Sequence, residues 1–165
     1  MGLFDKLFGK GEKVNDNHIY APLTGKVVPI SEVPDPTFAE GMLGNGIAII
    51  PTDGKVYAPC NGKVETMFST GHAVALSTAG GAELLIHVGL ETVGLNGGPF
   101  TIHVKNEQKV KKGDLIAEFD INEIKKQYRM FTPILVTNAD DFASVEILKA
   151  EGDVKVGEPL YTVKA

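Results

Sequence analysis

Short apolar runs separated by glycine and proline dominate the chain from His18 onward. Runs of this length between frequent turn residues are typical of β-strands joined by tight turns. The pattern predicts strands at Ile19–Ala21, Gly25–Pro29, Gly46–Pro51, Lys55–Ala58, Gly62–Met67, Ala73–Thr78, Glu83–Val88, Thr101–His103, Leu115–Asp120, Pro133–Thr137 and Pro159–Val163.

One stretch, Asn122–Met130, has the features of a helix. Asp120 is a suitable N-cap, basic residues occupy the later turns, and Pro133 lies beyond the end. Many closely spaced strands with so little helix predict an all-β sandwich or barrel.

Residues 1–17 have a different character from the rest of the chain. Four apolar residues share one face of a short helix there, with lysines on the other side: Leu3, Phe4, Leu7 and Phe8. We expect 1–17 to be a flexible or weakly amphipathic tail and 18–165 to be a single domain. Residues 1–13 would contact an anionic membrane surface weakly. The alternative is a frayed terminus without function.

Two short segments occur twice in the chain. Tyr20–Val27 matches Tyr57–Val64 at six of eight positions, and Val110–Leu115 is similar to Val154–Leu160. Each segment is a turn that leads into a strand. The repetition indicates a structural duplication within one sheet system, with coincidental reuse of good turn residues as the alternative.

Charge and cysteine content exclude several classes of protein. The 165 residues carry a net charge of −5, which disfavours a nucleic-acid binder. The single cysteine, Cys60, excludes an internal disulfide framework and a cysteine-cluster zinc site. No run of about 18 apolar residues is present. A cytoplasmic protein without a transmembrane helix is therefore expected.

Two of the four histidines lie in the most apolar part of the chain, Gly71–Gly89, which is predicted to form a β-hairpin with Gly80 and Gly81 as its loop. With this loop, His72 lies opposite Gly89 and His87 opposite Val74. The two imidazoles are then diagonal neighbours on one face. A three-residue loop would place them on opposite faces.

A pair of imidazoles on an apolar face suits group transfer. One ring can act as a nucleophile and hold a covalent group, while the other donates a hydrogen bond to that group. Gly89 is expected to leave open space beside the pair. The alternatives are half of a zinc site and two core histidines bonded to backbone carbonyls. His18 and His103 lie outside the hairpin and are expected to have surface or structural roles.

Several motifs resemble the glucose-type enzyme IIA component of the bacterial phosphoenolpyruvate-dependent sugar phosphotransferase system. The similarity extends from about His18 to the C-terminus. The matching segments are Ile19–Gly25, Val33–Glu40, Gly44–Ile49, Ser69–Ala73 and, most specific, Glu83–Val93.

The resemblance implies a largely antiparallel β-sandwich with a duplicated half motif and one or two short helices. It implies a phosphotransferase component in which His87 Nε2 accepts a phosphoryl group from the carrier protein HPr. His87 would pass the group to a cysteine of the IIB domain of a sugar permease. His72 would donate to the phosphoryl oxygens, and Thr70 would orient His72.

The resemblance also implies a docking face with an apolar centre and an acidic rim. The matching residues are Phe38, Met42, Phe68 and Leu85 in the apolar part and Asp35 and Glu91 in the rim. The partners would be HPr and a IIB domain, together with regulatory target proteins. We expect a monomer without a resident cofactor, positioned near the inner face of the membrane.

Three alternatives remain open at this point. A zinc hydrolase on a similar β scaffold would need a His-x-His pair, whereas only one histidine occurs in Ile86–Val88. A regulatory module would use the same docking face without transferring a group. A lipoyl or biotin carrier domain would use Lys55, which lacks the usual flanking pattern. A zinc ion held by His72 and His87 in a complex is a further alternative.

Overall fold

The structure, a computed structural model, describes residues 14–40 and 45–164 of the chain. The predicted tail residues 1–13 and Met42 lie outside the described residues. The strands are β1 (His18–Tyr20), β2 (Gly25–Pro29), β3 (Asn45–Pro51), β4 (Lys55–Tyr57), β5 (Gly62–Met67), β6 (Ala73–Thr78), β7 (Glu83–His87), β8 (Phe100–Ile102), β9 (Lys109–Val110), β10 (Leu115–Phe119), β11 (Thr132–Val136), β12 (Ser144–Ile147), β13 (Gly152–Val154) and β14 (Pro159–Lys164).

Helical structure in the described ranges is short. It consists of helices α1 (Pro36–Ala39) and α2 (Ile121–Ile124) and of single 3₁₀ turns at Ile30–Glu32, Thr92–Leu95 and Ala139–Asp141. Among these residues, no helix has the length and apolar character that crossing a membrane requires.

The strands form one large and two small sheets. The large sheet has the order β13-β2-β3-β11-β7-β6-β5-β9, and the small sheets have the orders β1-β14-β12 and β4-β10-β8. Every strand pair in the described part of the chain is antiparallel. The predicted all-β, largely antiparallel fold is therefore confirmed.

The two copies of the first repeated segment pair with each other. Tyr20 donates its N–H to the Pro59 carbonyl, and Tyr57 donates its N–H to the Pro22 carbonyl, both at 2.8 Å. Reciprocal hydrogen bonds of this kind indicate that two equivalent units are related by an approximate twofold axis.

The second repeated segment completes each copy in the same way. The Ala21 N–H donates to the Glu158 carbonyl at 2.7 Å, and the Ala58 N–H donates to the Asp114 carbonyl at 2.8 Å. As a result, β1-β14-β12 in one copy corresponds to β4-β10-β8 in the other. The predicted duplication is a real feature of the fold.

The large sheet is buried on both faces at its centre, as the fully buried strand β11 shows, and alternate residues of each strand face opposite sides. In β7, Leu84 and Ile86 belong to the main core. Leu85 packs against a second, smaller cluster formed by Val28, Val33, Phe38, Ala48, Leu90 and Leu135. His87 shares the face of Leu85 and therefore projects from the side that carries the smaller cluster.

The structure corrects the predicted helix and adds three strands. The helix covers Ile121–Ile124 rather than Asn122–Met130, although Asp120 does cap it by accepting from the Glu123 N–H. The helix ends early, and beyond it the Arg129 carbonyl accepts a hydrogen bond from the Leu90 N–H.

Strands β9, β12 and β13 were not predicted because they are short and depend on pairing with distant residues.

A buried tyrosine joins the small sheet β1-β14-β12 to the large one. The Tyr161 hydroxyl donates to the Ile134 carbonyl at 2.6 Å and accepts from the Ile47 N–H. The hydroxyl thus lies between β3 and β11, and burial raises its pKa. Buried backbone groups at this position have no access to water.

Tyr161→Phe should lower the free energy of unfolding by roughly 2 kcal/mol, because it removes the partner of a buried N–H and a buried C=O group. Urea denaturation of both proteins measures the difference. Tyr57→Phe is the matched control, because the Tyr57 hydroxyl makes no hydrogen bond within the described residues; it should change stability by less than about 0.5 kcal/mol. Equal losses in the two variants would contradict a structural role of the Tyr161 hydroxyl.

Candidate functional site

The two histidines of the apolar hairpin lie at the ends of neighbouring strands. His87 is the last residue of β7, and His72 immediately precedes β6. Their ring centroids are 5.0 Å apart, and the ring planes make an angle of 80°. The structure therefore brings together the pair that the sequence predicted.

The register of the hairpin differs from the predicted one. Thr78 and Ala82 pair across a three-residue loop, and the Thr78 hydroxyl accepts the Ala82 N–H at 2.9 Å. His87 consequently lies opposite Ala73 and not opposite Val74. The predicted two-residue loop is wrong. A three-residue loop forms in its place, because the Thr78 hydroxyl accepts the Ala82 N–H, which a backbone carbonyl would accept in a tighter turn.

The rings meet despite this register because His72 lies outside the regular strand. It follows the tight turn in which the Gly71 N–H donates to the Phe68 carbonyl at 2.7 Å. Strand alternation does not constrain a side chain at this position. The backbone of His72 still pairs with the residue that follows β7, since the Val88 N–H donates to the His72 carbonyl at 2.7 Å.

A backbone carbonyl orients His87. Nδ1 lies 2.7 Å from the Gly89 carbonyl oxygen, and because a carbonyl only accepts, Nδ1 carries the proton. Nε2 is then the unprotonated nitrogen with a free lone pair. The hydrogen bond thus leaves Nε2 as the ring nitrogen that can accept a bond.

Gly89 does not provide the open space that the sequence suggested. It has a φ of +72°, which favours glycine, and Val88 rather than Gly89 pairs with His72. A Cβ atom on Gly89 would lie 2.7 Å from Thr92 Cγ2 and 3.3 Å from the Arg129 carbonyl oxygen. The residue is glycine because the turn is tightly packed.

A hydroxyl group accompanies the second histidine. Thr70 Oγ1 lies 2.5 Å from His72 Nδ1, and His72 itself is 5% exposed. Of the two ring nitrogens, Nε2 remains available to a ligand. The residues predicted for this pair, Thr70 and His72, are therefore in direct contact.

The surroundings keep both rings neutral at pH 7. Burial lowers the pKa of His72 to about 4, and the nearby His87 contributes to the lowering. Burial also lowers the pKa of His87, while the Gly89 carbonyl and the Asp35 carboxylate act in the opposite direction. A neutral imidazole is the form that can act as a nucleophile.

Two phenylalanines extend the pair into a row of four rings. Phe38 lies 5.2 Å from His87, and Phe68 lies 5.4 Å from His72, centroid to centroid. Phe68 is 40% exposed, whereas Phe38 is buried at 5%. Phe68 therefore offers apolar surface beside the histidines, while Phe38 supports His87 from within the smaller cluster.

The other predicted docking residues have different positions. Leu85 is half-buried on the same sheet face as His87, and Glu91 is exposed just after the Gly89 turn. Asp35 caps α1 by accepting the Thr37 N–H at 3.0 Å. Met42 lies outside the described residues, and its predicted contribution stays a prediction.

Sequence reasoning missed two exposed apolar residues near the pair. Val93 is 52% exposed in the turn after Glu91, and Ile102 is 37% exposed. Ile102 Cγ1 would lie 3.4 Å from a Cβ atom on Gly71, which places it beside the turn that carries His72. Only the pairing of β8 with β10 brings Ile102 to this position.

Two buried threonines near the histidines were also missed. Thr92 and Thr132 are both fully buried, and each forms hydrogen bonds with backbone next to Gly89. Threonine is common in turns and strands, so nothing in the sequence alone distinguished them.

The remaining histidines do not join the pair. His103 Nε2 lies 2.7 Å from Glu118 Oε2 at the surface, as expected for a surface role. His18 packs edge-on against Tyr20. Within 14–40 and 45–164, no group of three or more His, Cys, Asp or Glu residues could hold a metal ion. A partner would have to supply further ligands for zinc at His72 and His87.

Comparisons with known proteins give one consistent result. Residues 17–142 match the family model for the phosphoenolpyruvate-dependent sugar phosphotransferase system, EIIA 1. The chain is 47% identical over 171 residues to the PTS system glucose-specific EIIA component of Halalkalibacterium halodurans, and the alignment covers 98% of each protein. It is also similar to the solved structure of glucose permease IIA from Mycoplasma capricolum. That match has a TM-score of 0.82 and 37% identity and covers 91% of this chain and 96% of the other.

The low pKa of His72 predicts a specific loss of stability in mild acid. Below pH 6.5 the unfolded state takes up a proton that the folded state, with its pKa of about 4, does not bind, so acid favours unfolding. Between pH 7 and pH 5 this effect amounts to roughly 2 kcal/mol. His72→Gln should therefore lose less stability than the parent protein over that interval in urea denaturation.

His103→Gln is the control for this measurement, because it makes the same substitution at an exposed histidine outside the pair and should not reduce the loss of stability in acid. If His72→Gln lost as much stability as the parent protein between pH 7 and pH 5, His72 would not be held neutral by the fold.

Proposed function

Because the chain belongs to the EIIA 1 family of the phosphoenolpyruvate-dependent sugar phosphotransferase system, and so carries phosphoryl groups from HPr to a IIB domain, we propose that His87 is the carrier residue. The observation that carries this proposal is the hydrogen bond from His87 Nδ1 to the Gly89 carbonyl. It leaves the lone pair of Nε2 free, on a residue that is only half-buried.

In the transfer, the Nε2 lone pair attacks the phosphorus atom of phospho-HPr. A new N–P bond forms as the N–P bond of the donor histidine breaks, and the donor nitrogen regains its lone pair. Nδ1 of His87 keeps its proton throughout. Donor and acceptor are both imidazoles, so the step needs alignment and charge stabilisation more than a driving force.

His72 stabilises the bound phosphoryl group. With the Thr70 hydroxyl donating to Nδ1, His72 presents Nε2–H as a donor toward the phosphoryl oxygens. The two histidines then have complementary tautomers, an acceptor Nε2 on His87 and a donor Nε2 on His72. The 5.0 Å separation of the rings allows both nitrogens to face one phosphoryl group.

The surface around the pair is suited to docking. Phe68, Val93 and Ile102 are among the exposed large apolar residues of the described part of the chain, and all three lie on segments next to the histidines. Apolar contacts exclude water from the reacting groups. Asp35 and Glu91 flank the site and favour an electropositive partner, so association should slow as salt rises. Leu85 belongs to the proposed apolar face, and Met42, outside the described residues, is assigned to it from the family resemblance alone.

We assign the cytoplasm as the place of action, because the phosphoryl donor belongs to the phosphoenolpyruvate-dependent system. The lysines and apolar residues of 1–13 support a weak contact with the inner face of the membrane. The same docking face could receive regulatory target proteins. The chain acts as a monomer in this proposal, since docking needs the histidine face to be free.

Replacing the two histidines should separate their roles. His87→Gln should accept no phosphoryl group from phosphoenolpyruvate, enzyme I and HPr, because glutamine has no nucleophilic ring nitrogen. His72→Gln should still accept one but pass it to the IIB domain at least about 100-fold more slowly, since the flexible glutamine amide does not hold its N–H donor in the place of the His72 Nε2–H. Intact mass and acid lability detect the phosphohistidine.

His103→Gln, with its surface histidine replaced, should behave like the parent in both steps. An acid-labile phosphoryl group on His87→Gln would show that another residue is the carrier.

The docking surface can be tested at Phe68. Phe68→Ala should raise the KM for phospho-HPr about tenfold, because exposed aromatic residues beside a site contribute strongly to binding. Leu148→Ala is the control, since Leu148 is similarly exposed at 48% but lies after β12 in a small sheet. Steady-state transfer assays measure both, and equal KM values for the two variants would argue against the docking role.

A further inference from the structure

Two of the three buried threonines in the described ranges lie beside the carrier histidine. The three are Thr78, Thr92 and Thr132. Thr92 and Thr132 are 0% exposed, and both contact the turn at Gly89. Burying a hydroxyl group is unfavourable unless it is hydrogen-bonded, so its partners indicate what it holds in place.

The two threonines hold opposite ends of one peptide group. Thr92 Oγ1 donates to the Val88 carbonyl at 2.5 Å. Thr132 Oγ1 lies 3.5 Å from the Gly89 N–H, which donates to it, and itself donates to the Met130 carbonyl at 3.2 Å. The Val88–Gly89 peptide plane is thereby held at its oxygen and at its nitrogen.

The next peptide group carries the carbonyl that orients His87. Its N–H, that of Leu90, donates to the Arg129 carbonyl at 2.9 Å. Its oxygen, that of Gly89, accepts from His87 Nδ1 at 2.7 Å. The φ and ψ of Gly89 connect the two peptide planes, so holding the first plane narrows the directions in which the Gly89 carbonyl can point. Thr92 Cγ2 also packs against the α-carbon side of Gly89, where no Cβ atom would fit.

We propose that Thr92 and Thr132 are positioning residues that hold the Gly89 carbonyl against His87 Nδ1 and so keep Nε2 as the nucleophilic nitrogen. This inference rests on the proposed role of His87. The threonines act through the backbone and do not touch the transferred group. Without them, only the bond from the Leu90 N–H to the Arg129 carbonyl restrains this peptide group, so the Gly89 carbonyl turns away from Nδ1 more often and His87 protonates Nε2 instead. The fraction of His87 ready to react then falls.

Thr92→Val tests the proposal because valine keeps the shape and the methyl contact with Gly89 but removes the hydroxyl. In ¹⁵N NMR of the unphosphorylated protein, the parent His87 should show a protonated Nδ1 and an unprotonated Nε2. Thr92→Val should show a mixture of the two tautomers. The kcat for transfer from phospho-HPr should fall about tenfold, corresponding to about 1.4 kcal/mol in the barrier, with KM little changed. Thr92→Ser, which keeps the hydroxyl, should have the parent's His87 tautomer and the parent's kcat.

Thr78→Val is the matched control. Thr78 is buried, bonds to backbone and lies on the same hairpin, but its hydroxyl holds the loop at the far end from the histidines. This variant should lose stability without changing the His87 tautomer or kcat. If Thr92→Val fails to fold, Thr132→Val gives the same test at the other end of the peptide group.

The inference is overturned if Thr92→Val and Thr132→Val lose stability as Thr78→Val does while the His87 tautomer stays that of the parent. That result would leave the carrier role of His87 intact. Conversely, phosphorylation of His87→Gln would overturn the carrier role, whereas the NMR result would still report whether the threonines orient the ring.

Discussion

The hydrogen bond from His87 Nδ1 to the Gly89 carbonyl determines which ring nitrogen can react, and much of the local structure serves to maintain it. The carbonyl reaches Nδ1 from a residue, Gly89, that adopts a positive φ in a turn too tight for any side chain. An imidazole at the end of a strand would otherwise rotate and exchange tautomers. In the proposed transfer, a fixed acceptor atom aligns the two reactants without reorganisation of the site.

The hydrogen bond between His87 and Gly89 lies in apolar surroundings that keep the imidazole ring uncharged. The sheet face that carries His87 is lined by the smaller core cluster, and burial keeps both imidazoles uncharged at neutral pH. The duplicated fold supplies the rigid support, since its two copies exchange reciprocal backbone bonds at Tyr20 and Tyr57. The histidine pair lies in only one region of this repeated scaffold, at the ends of β6 and β7, so the duplication supports the site without repeating it.

The sequence predicted the strands well where glycine and proline mark their ends, as in Gly25–Pro29 and Gly62–Met67. It overestimated the helix after Asp120, because the periodicity of side chains does not report that the Arg129 carbonyl bonds to Leu90. It also missed β12, whose strand character depends on its partner β14. Pairing between residues far apart in the chain is a property of the folded molecule, and local pattern carries little information about it.

The sequence by itself determined the class of fold, the repeat, the two histidines and, through its motifs, the family. These follow from local spacing and turn chemistry, which neighbouring residues specify. Only the tertiary structure decided the loop length at Thr78, the tautomer of His87 and the burial of Thr92 and Thr132. Each of these features depends on a hydrogen-bond partner that another segment of the folded chain places within about 3 Å. A shift of one residue in strand register is enough to change that partner.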